Sequence, residues 1–305
     1  MISHFADRVT AAIKEKRTPL CVGLDPRWEQ LPQEIRSRHG GGTLASMARA
    51  FEEFCLRVLD VVAPLVAVVK PQSAFFEACG PAGLVAQQRL LRRAHRRLGL
   101  ITILDSKRND IASTAEAYAD AAFAGTSIDG SRHRVWEADA LTVNPYLGRD
   151  AVEPFLISAR KQQCGVFVLV RTSNPGAGQF QDLKCDGRPL YEHVGNAVAA
   201  WSNENPGNCG MGDVGAVVGA THPAELARLR GMLPNVLFLI PGYGAQGGSA
   251  ADTAPGFRPD GTGAIVNSSR GIIACFQPGE ARWEAAVEAA TRDANAALAK
   301  AARLA

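Results

Sequence analysis

Eight short apolar runs, each nearly continuous in hydrophobicity and most separated by helical stretches, restrict how this chain can fold more than any other feature. They are L-C-V-G-L-D (20–25), L-V-A-V-V-K (65–70), L-I-T-I-L-D (100–105) and A-L-T-V-N (140–144). G-V-F-V-L-V-R-T-S (165–173), V-G-A-V-V-G-A (214–220), V-L-F-L-I-P-G (236–242) and G-A-I-V-N-S-S (263–269) complete the set. A strand with one wet face alternates apolar and polar residues, whereas a strand covered on both faces does not. Helical spacing is clear in 44–60, 83–98 and 223–233. Strand–helix alternation repeated eight times predicts a closed parallel barrel rather than an open sheet. The 305 residues suit one such barrel, and no change of composition marks a second domain. The expectation is a single (β/α)8 TIM-barrel domain over residues 1–305.

Bulk properties exclude several classes of function. Hydrophobic residues make up 47% and charged residues 21%, which is ample for a large core, and the net charge is only +3. The one basic cluster, R-R-A-H-R-R at 92–97, reads as the solvated face of a helix rather than a nucleic-acid site. The N-terminal segment is amphipathic and acid-containing, unlike a signal peptide. The longest apolar run, near 61–69, is interrupted by Pro64 and is too short to span a bilayer. Seven dispersed cysteines without a C-x-x-C pair point to reduced thiols in a cytoplasmic protein and away from a zinc or iron–sulfur site.

Polar residues recur where the apolar runs end. Asp25, Lys70, Asp105, Lys107, Asn144 and Thr172 or Ser173 all fall at or just past predicted strand C-termini. That is the rim where barrel enzymes carry their sites. One such charge is explained by a structural ion pair; a ring of them on successive strands marks a site, because burying charge is costly. In L-D-S-K-R-N-D-I (104–111), strand alternation puts Asp105 and Lys107 on one face, with Asp110 just beyond. With Lys70 they form an alternating Lys-Asp-Lys-Asp array in which each charge keeps its neighbour ionised. Such an array repels a substrate carboxylate and favours delivery of a proton to a developing carbanion. It does not suit a Schiff-base lysine, which needs a depressed pKa.

The loops after the seventh and eighth runs, I-P-G-Y-G-A-Q-G-G (240–248) and N-S-S-R-G (267–271), occupy the usual phosphate-binding place of a barrel. Pro241, Gln246, Ser269 and Arg270 are the candidate contacts, with Arg270 offering a bidentate fork. Gly242 to Gly247 also matches G-x-G-x-x-G, but no helix opens directly from it and the next strand ends in Asn267, not an acid. A dinucleotide site is therefore not expected.

Together, C-V-G-L-D-P-R (21–27), V-V-K-P-Q (68–72), L-D-S-K-R-N-D-I-A-S-T (104–114), V-N-P-Y-L-G (143–148), R-T-S-N-P-G (171–176) and the two glycine loops resemble the longer bacterial form of orotidine 5′-phosphate decarboxylase. The resemblance covers nearly the whole chain. It implies conversion of orotidine 5′-monophosphate to UMP and CO2 with no metal or organic cofactor. It makes Lys107 the proton donor to pyrimidine C6 and sets Asp105 against the departing carboxylate. Lys70 and Asp25 are then expected on the ribose, Ser173 near the pyrimidine, and Gln246 and Arg270 on the phosphate. It further implies a homodimer in which Asp110 and Thr114 reach the neighbouring site. The segment after the fifth strand leaves Thr172, Ser173 and Asn174 unseparated as the pyrimidine contact.

Two other readings stand beside this one. A metal-dependent aldolase of the same superfamily, such as a 3-hexulose-6-phosphate synthase, would share the barrel and D-x-K-x-x-D but needs a catalytic histidine. Only His222 lies just past a strand, and it precedes Pro223 at an expected helix start, a structural position. A non-catalytic phosphate sensor would keep the glycine loops but has no use for four alternating charges.

Overall fold

The structure is a computed structural model that describes residues 3–245 and 247–304. Eight parallel strands close a barrel: Leu20–Leu24, Val68–Pro71, Ile101–Arg108, Ala140–Val143, Gly165–Arg171, Val214–Val218, Phe238–Ile240 and Ala264–Ser268. Each pairs with the next, and the last closes on the first through Leu20↔Val266 and Val22↔Ser268. All eight apolar runs contain a strand, as expected, although the ends differ. The seventh stops at Ile240 rather than 242, because Pro241 has no N–H to continue the ladder and Gly242 turns away at φ 99°. The third runs on to Arg108, with a register shift between Leu104 and Arg108.

Alternation sorts the side chains. Outward residues such as Val22, Val69, Leu104 and Val266 join the shell packed under the helices Leu44–Val62, Gly80–Arg92, Arg149–Lys161, Leu190–Asn203, Pro223–Met232 and Trp283–Ala302. Inward residues Cys21, Val68, Ile103, Ala140, Phe167, Leu239 and Ile265 fill the barrel and pack with Phe5, Val9 and Ile13 of the N-terminal helix Phe5–Lys16. The amphipathic start of the chain is thus the plug of the barrel. Phe5 meets Phe167 edge-on with centroids 6.0 Å apart. Gly165 makes room for it, since a Cβ there would lie 2.2 Å from the Phe5 ring. Burial of each large apolar plug side chain contributes about 2 kcal/mol.

The connection after the fifth strand, residues 174–213, is built of several short elements and one long helix. These are a 3-10 turn (Pro175–Ala177), a short helix (Gly178–Gln181), a small hairpin (Lys184–Cys185 with Arg188–Pro189) and the 14-residue crossover helix Leu190–Asn203. The N-P-G-A-G start hid the first pieces. Gly195 inside the helix lowers its propensity but lets it pack closely on Val170, Leu229 and Leu233. A second hairpin, Thr126–Ile128 with Ser131–His133, was likewise not evident from the sequence. No helix among the described residues is long and apolar enough to cross a membrane.

The basic cluster at 92–97 is also more than a solvated face. Arg96 and Arg92 bind the buried Glu137 at 2.6 and 3.2 Å, and Arg93 binds Asp60 at 2.8 Å. His95 Nδ1 lies 3.0 Å from the buried Asp139, which also takes Arg8 at 2.6 Å and the Thr102 amide and hydroxyl. These charges sit at the N-terminal ends of the third and fourth strands and tie the plug helix to the barrel. Burial pushes the Asp139 carboxyl up, but His95 and Arg8 outweigh it and bring it down to about 2. The hydrogen bond to Asp139 outweighs burial at His95 and raises the imidazole.

Signs follow from linkage. The raised histidine stabilises fully below its unfolded pKa of about 6.5 and loses that contribution as pH rises through its folded value. The depressed Asp139 contribution is complete above its unfolded pKa of about 3.9 and is lost as pH falls through the folded value. Urea unfolding of wild type and His95→Gln should therefore show a wild-type advantage on the order of 1 kcal/mol at pH 6 that shrinks by pH 9. An advantage that grows with pH would contradict the assignment.

Candidate active site

The inward positions change character toward the C-terminal mouth of the barrel. Above the apolar layers stand Gly23 and Asp25 on the first strand and its end, Lys70 on the second, Asp105 on the third and Thr142 on the fourth. Pro241 follows the seventh, and Asn267 and Ser269 lie on and just after the eighth. Lys70 and Asp105 are each only 5% exposed. Lys70 Nζ lies 2.6 Å from Asp105 Oδ2, and Lys107 Nζ lies 2.7 Å from Asp105 Oδ1. One buried carboxylate thus holds two ammoniums, one on each oxygen.

The electrostatics reinforce this. Burial alone would push the Lys70 ammonium down, but the negative charges of Asp105 and Asp25 outweigh it and hold Lys70 above the usual lysine range. Burial would push Asp105 up, yet Lys70 and Lys107 outweigh it and hold the carboxyl well below the usual carboxylate range. Lys70 and Asp105 are charged throughout the neutral range. Lys107 differs from Lys70 in access, with a side chain 45% exposed against 6%.

Lys107 does not reach Asp105 by plain strand alternation. Its φ is +48°, a left-handed conformation that costs a non-glycine residue about 1 kcal/mol. Thr142 holds that turn. Its hydroxyl accepts from the Ser106 amide at 3.0 Å and the Lys107 amide at 2.9 Å, and donates to Asp105 Oδ1 at 2.9 Å. The sequence reading passed over Thr142, whose only signal was a lone hydroxyl in an otherwise apolar fourth strand.

Other expected residues are placed as follows. Asp25 is partly buried at the first strand's end, and its Oδ1 has no hydrogen-bond partner among the described residues; the same holds for Ser106 Oγ and Asn267 Oδ1. Unsatisfied buried polar atoms lining one mouth are the mark of a site built for a polar ligand. Ser269 Oγ accepts from Asn267 Nδ2 at 3.2 Å, and Gly23 clears space for it: a Cβ there would lie 1.9 Å from that hydroxyl. Asn144 accepts from the Tyr146 amide and so caps its own turn. Ser173 lies against Gly219. Asp110 accepts from the Ile111 amide at 2.9 Å, and Thr114 is exposed on the helix Ala112–Ala119. Among the described residues neither bonds Lys70, Asp105 or Lys107, so the chain by itself assembles three members of the four-charge array.

At the expected phosphate end, Arg270 is exposed and donates to the Ala245 carbonyl at 3.3 Å, joining the loops after the seventh and eighth strands. Gln246 lies outside the described residues. The glycine loop differs from expectation in one respect. The amides of Gly244, Gly247 and Gly248 bond the carbonyls of Gly248, Gly244 and Gly242, so they close the loop on itself rather than face an anion. The helix that follows, Ala250–Thr253, is capped by Ser249 and is too short and too late for a dinucleotide fold. His222 stands directly before the helix Pro223–Met232, as expected. Among the described residues no group of three or more His, Cys, Asp or Glu is placed to hold a metal ion.

Removing the Thr142 hydroxyl strands two amides and takes a donor from Asp105. Thr142→Val should cost about 2 kcal/mol in urea unfolding at constant m-value. A loss under about 0.5 kcal/mol would mean that the hydroxyl does not hold the Lys107 turn.

Comparison with known proteins places this geometry. Residues 18–284 match the family model described as "Orotidine 5'-phosphate decarboxylase / HUMPS family". A relative from Rhodopirellula baltica, named orotidine 5′-phosphate decarboxylase, is 46% identical over 301 residues, covering 96% of this chain and 98% of its own length. One of the same name from Caldicellulosiruptor bescii is 38% identical over 277 residues and 90% of each chain. The solved OMP decarboxylase of Leishmania donovani superposes with a TM-score of 0.73 at 34% identity, covering 97% of this chain and 98% of that one. The chain therefore belongs to the orotidine 5′-phosphate decarboxylase / HUMPS family and, by its relatives, to the decarboxylases within it, which makes it a carboxy-lyase.

Proposed function

We propose that this chain, as one barrel domain over residues 1–305, converts orotidine 5′-monophosphate to UMP and CO2, the last step of de novo UMP synthesis, through the charge array centred on Asp105. The observation that carries the reading is the buried Asp105 carboxylate held between Lys70 and Lys107 at the mouth of the barrel. The relatives' shared name supplies the substrate, and the array supplies a mechanism that suits it.

Loss of CO2 from C6 breaks the carbon–carbon bond and leaves its electron pair on an sp2 carbon. Lys107 is the accessible ammonium, so it stabilises that pair and then gives C6 its proton. Asp105 sets fixed negative charge near the departing carboxylate. Lys70 and Asp25 hold the ribose, where the unpartnered Asp25 oxygen accepts a hydroxyl. Ser173 meets the pyrimidine. Arg270, with Gln246, Pro241 and Ser269 around it, grips the phosphate. That grip is remote from C6, so its binding energy is available to order the mouth for the chemical step. No metal or organic cofactor is assigned a role. Seven free, dispersed cysteines fit the reducing cytoplasm.

Asp110 and Thr114 are assigned to the neighbouring site of a homodimer. Among the described residues neither bonds the chain's own lysines, which favours this, and so does the apolar surface of the same rim, where Tyr146 is 83% and Ile111 55% exposed.

Two measurements test the reading. Lys107→Ala should lower kcat by more than about 10³-fold while UMP still binds, followed by the absorbance of orotidine 5′-monophosphate. Turnover within tenfold of wild type would end the proton-donor role. Mixing inactive Lys107→Ala and Asp110→Asn chains should restore about a quarter of wild-type activity, since half the dimers are mixed and each mixed dimer has one intact site. No recovery after subunit exchange would place Asp110 in its own barrel's site.

A further inference from the structure

The fifth strand ends in Arg171, a residue to which neither the barrel core nor the charge array gives a role. It is 3% exposed, unusual for an arginine, and its guanidinium is fully engaged. Nε binds Glu225 Oε2 at 2.5 Å on the helix Pro223–Met232 after the sixth strand, Nη2 binds Asp182 Oδ1 at 3.3 Å, and Nη1 donates to Gln181 Oε1 at 3.3 Å. Its carbonyl accepts from the Gly219 amide at 2.8 Å.

Gln181 carries the connection back to the strand end. Its Oε1 accepts from the Thr172 amide at 3.0 Å, and its Nε2 donates to Thr172 Oγ1 at 2.8 Å. The Thr172 hydroxyl in turn donates to Asn174 Oδ1 at 2.7 Å. A directed chain of hydrogen bonds therefore runs Arg171, Gln181, Thr172, Asn174, and it encloses Ser173. On the other side Ser173 is backed by Gly219, where an added Cβ would come within 2.9 Å of the serine Cβ. Thr172 and Asn174 are thus both engaged in the clasp, which fixes the backbone on either side of Ser173.

We propose that Arg171 and Gln181 are positioning residues for recognition of the base: they fix the backbone at Thr172 so that Ser173 meets the pyrimidine in one geometry. The proposal rests on the nucleotide reading above and adds to it a specificity device outside the charge array. Such a clasp acts on the base end of the ligand and not on the phosphate end, which gives it a signature that general destabilisation lacks.

The test is calorimetric titration of wild type, Gln181→Ala and Arg171→Lys with UMP and with ribose 5-phosphate, which has no base. The clasp predicts that Gln181→Ala weakens UMP about tenfold, the equivalent of roughly one or two lost hydrogen bonds, and leaves ribose 5-phosphate within about twofold. Arg171→Lys keeps the charge but loses the fork and should move the same way. Equal weakening of both ligands, or unchanged UMP affinity in Gln181→Ala, overturns the proposal. Should Arg171→Lys fail to fold, Gln181→Ala decides alone, because Gln181 is only partly buried. Wild type that binds UMP no more tightly than ribose 5-phosphate would instead sink the nucleotide reading, and the clasp with it.

Discussion

The mouth of this barrel depends on the Asp105 carboxylate and the two ammoniums it holds. A lone carboxylate with 5% exposure would pay several kcal/mol for leaving water and would take up a proton instead. With Lys70 on one oxygen and Lys107 on the other, it stays charged, and it holds the charge of Lys70 in turn. The pairing is possible only because alternation on adjacent parallel strands aims Lys70 and Asp105 into the same lumen, and because Thr142 bends the third strand to return Lys107 to it. Beneath them the plug of Phe5, Val9, Ile13 and Phe167 closes the barrel to water from below. The low-dielectric floor is what makes the charges above it strong.

The two ends of the barrel use the same residue types to different purpose. At the N-terminal end Asp139 is met by Arg8, His95, and the amide and hydroxyl of Thr102. Both oxygens of Asp139 are engaged, and such a network stabilises. At the C-terminal end one oxygen of Asp25, the Ser106 hydroxyl and the Asn267 carbonyl are buried without partners among the described residues. Natural proteins seldom leave such atoms unmet, so their concentration beside a charged triad is better evidence of a ligand than the charges are.

The sequence carried most of the fold because a strand buried on both faces must be apolar at every position, and eight such runs leave few architectures. It carried the site to the extent that polar residues end those runs. What it concealed was of two kinds. Short-range exceptions to ideal geometry, such as the positive φ of Lys107 and the early stop at Pro241, are set by tertiary hydrogen bonds and one missing N–H. Partners far apart in sequence, such as Thr142 with Lys107, Arg171 with Glu225 and His95 with Asp139, have no local signature. The basic run at 92–97 looked like surface because its acids, Glu137 and Asp139, stand more than 40 residues away on another element.

The structure also separates the two lysines of the array physically. Both bind Asp105, yet Lys70 is enclosed and flanked by Asp25 as well, which raises its pKa further. An ammonium in that position is a poor acid, because the charges of Asp105 and Asp25 both favour keeping its proton. Lys107 has one carboxylate partner and a side chain open to the mouth. Losing a proton from Lys107 leaves Asp105 still paired with Lys70. The division of labour proposed for the pair, with Lys70 holding charge and ribose while Lys107 moves the proton, follows from this asymmetry of burial rather than from the order of the residues in the chain.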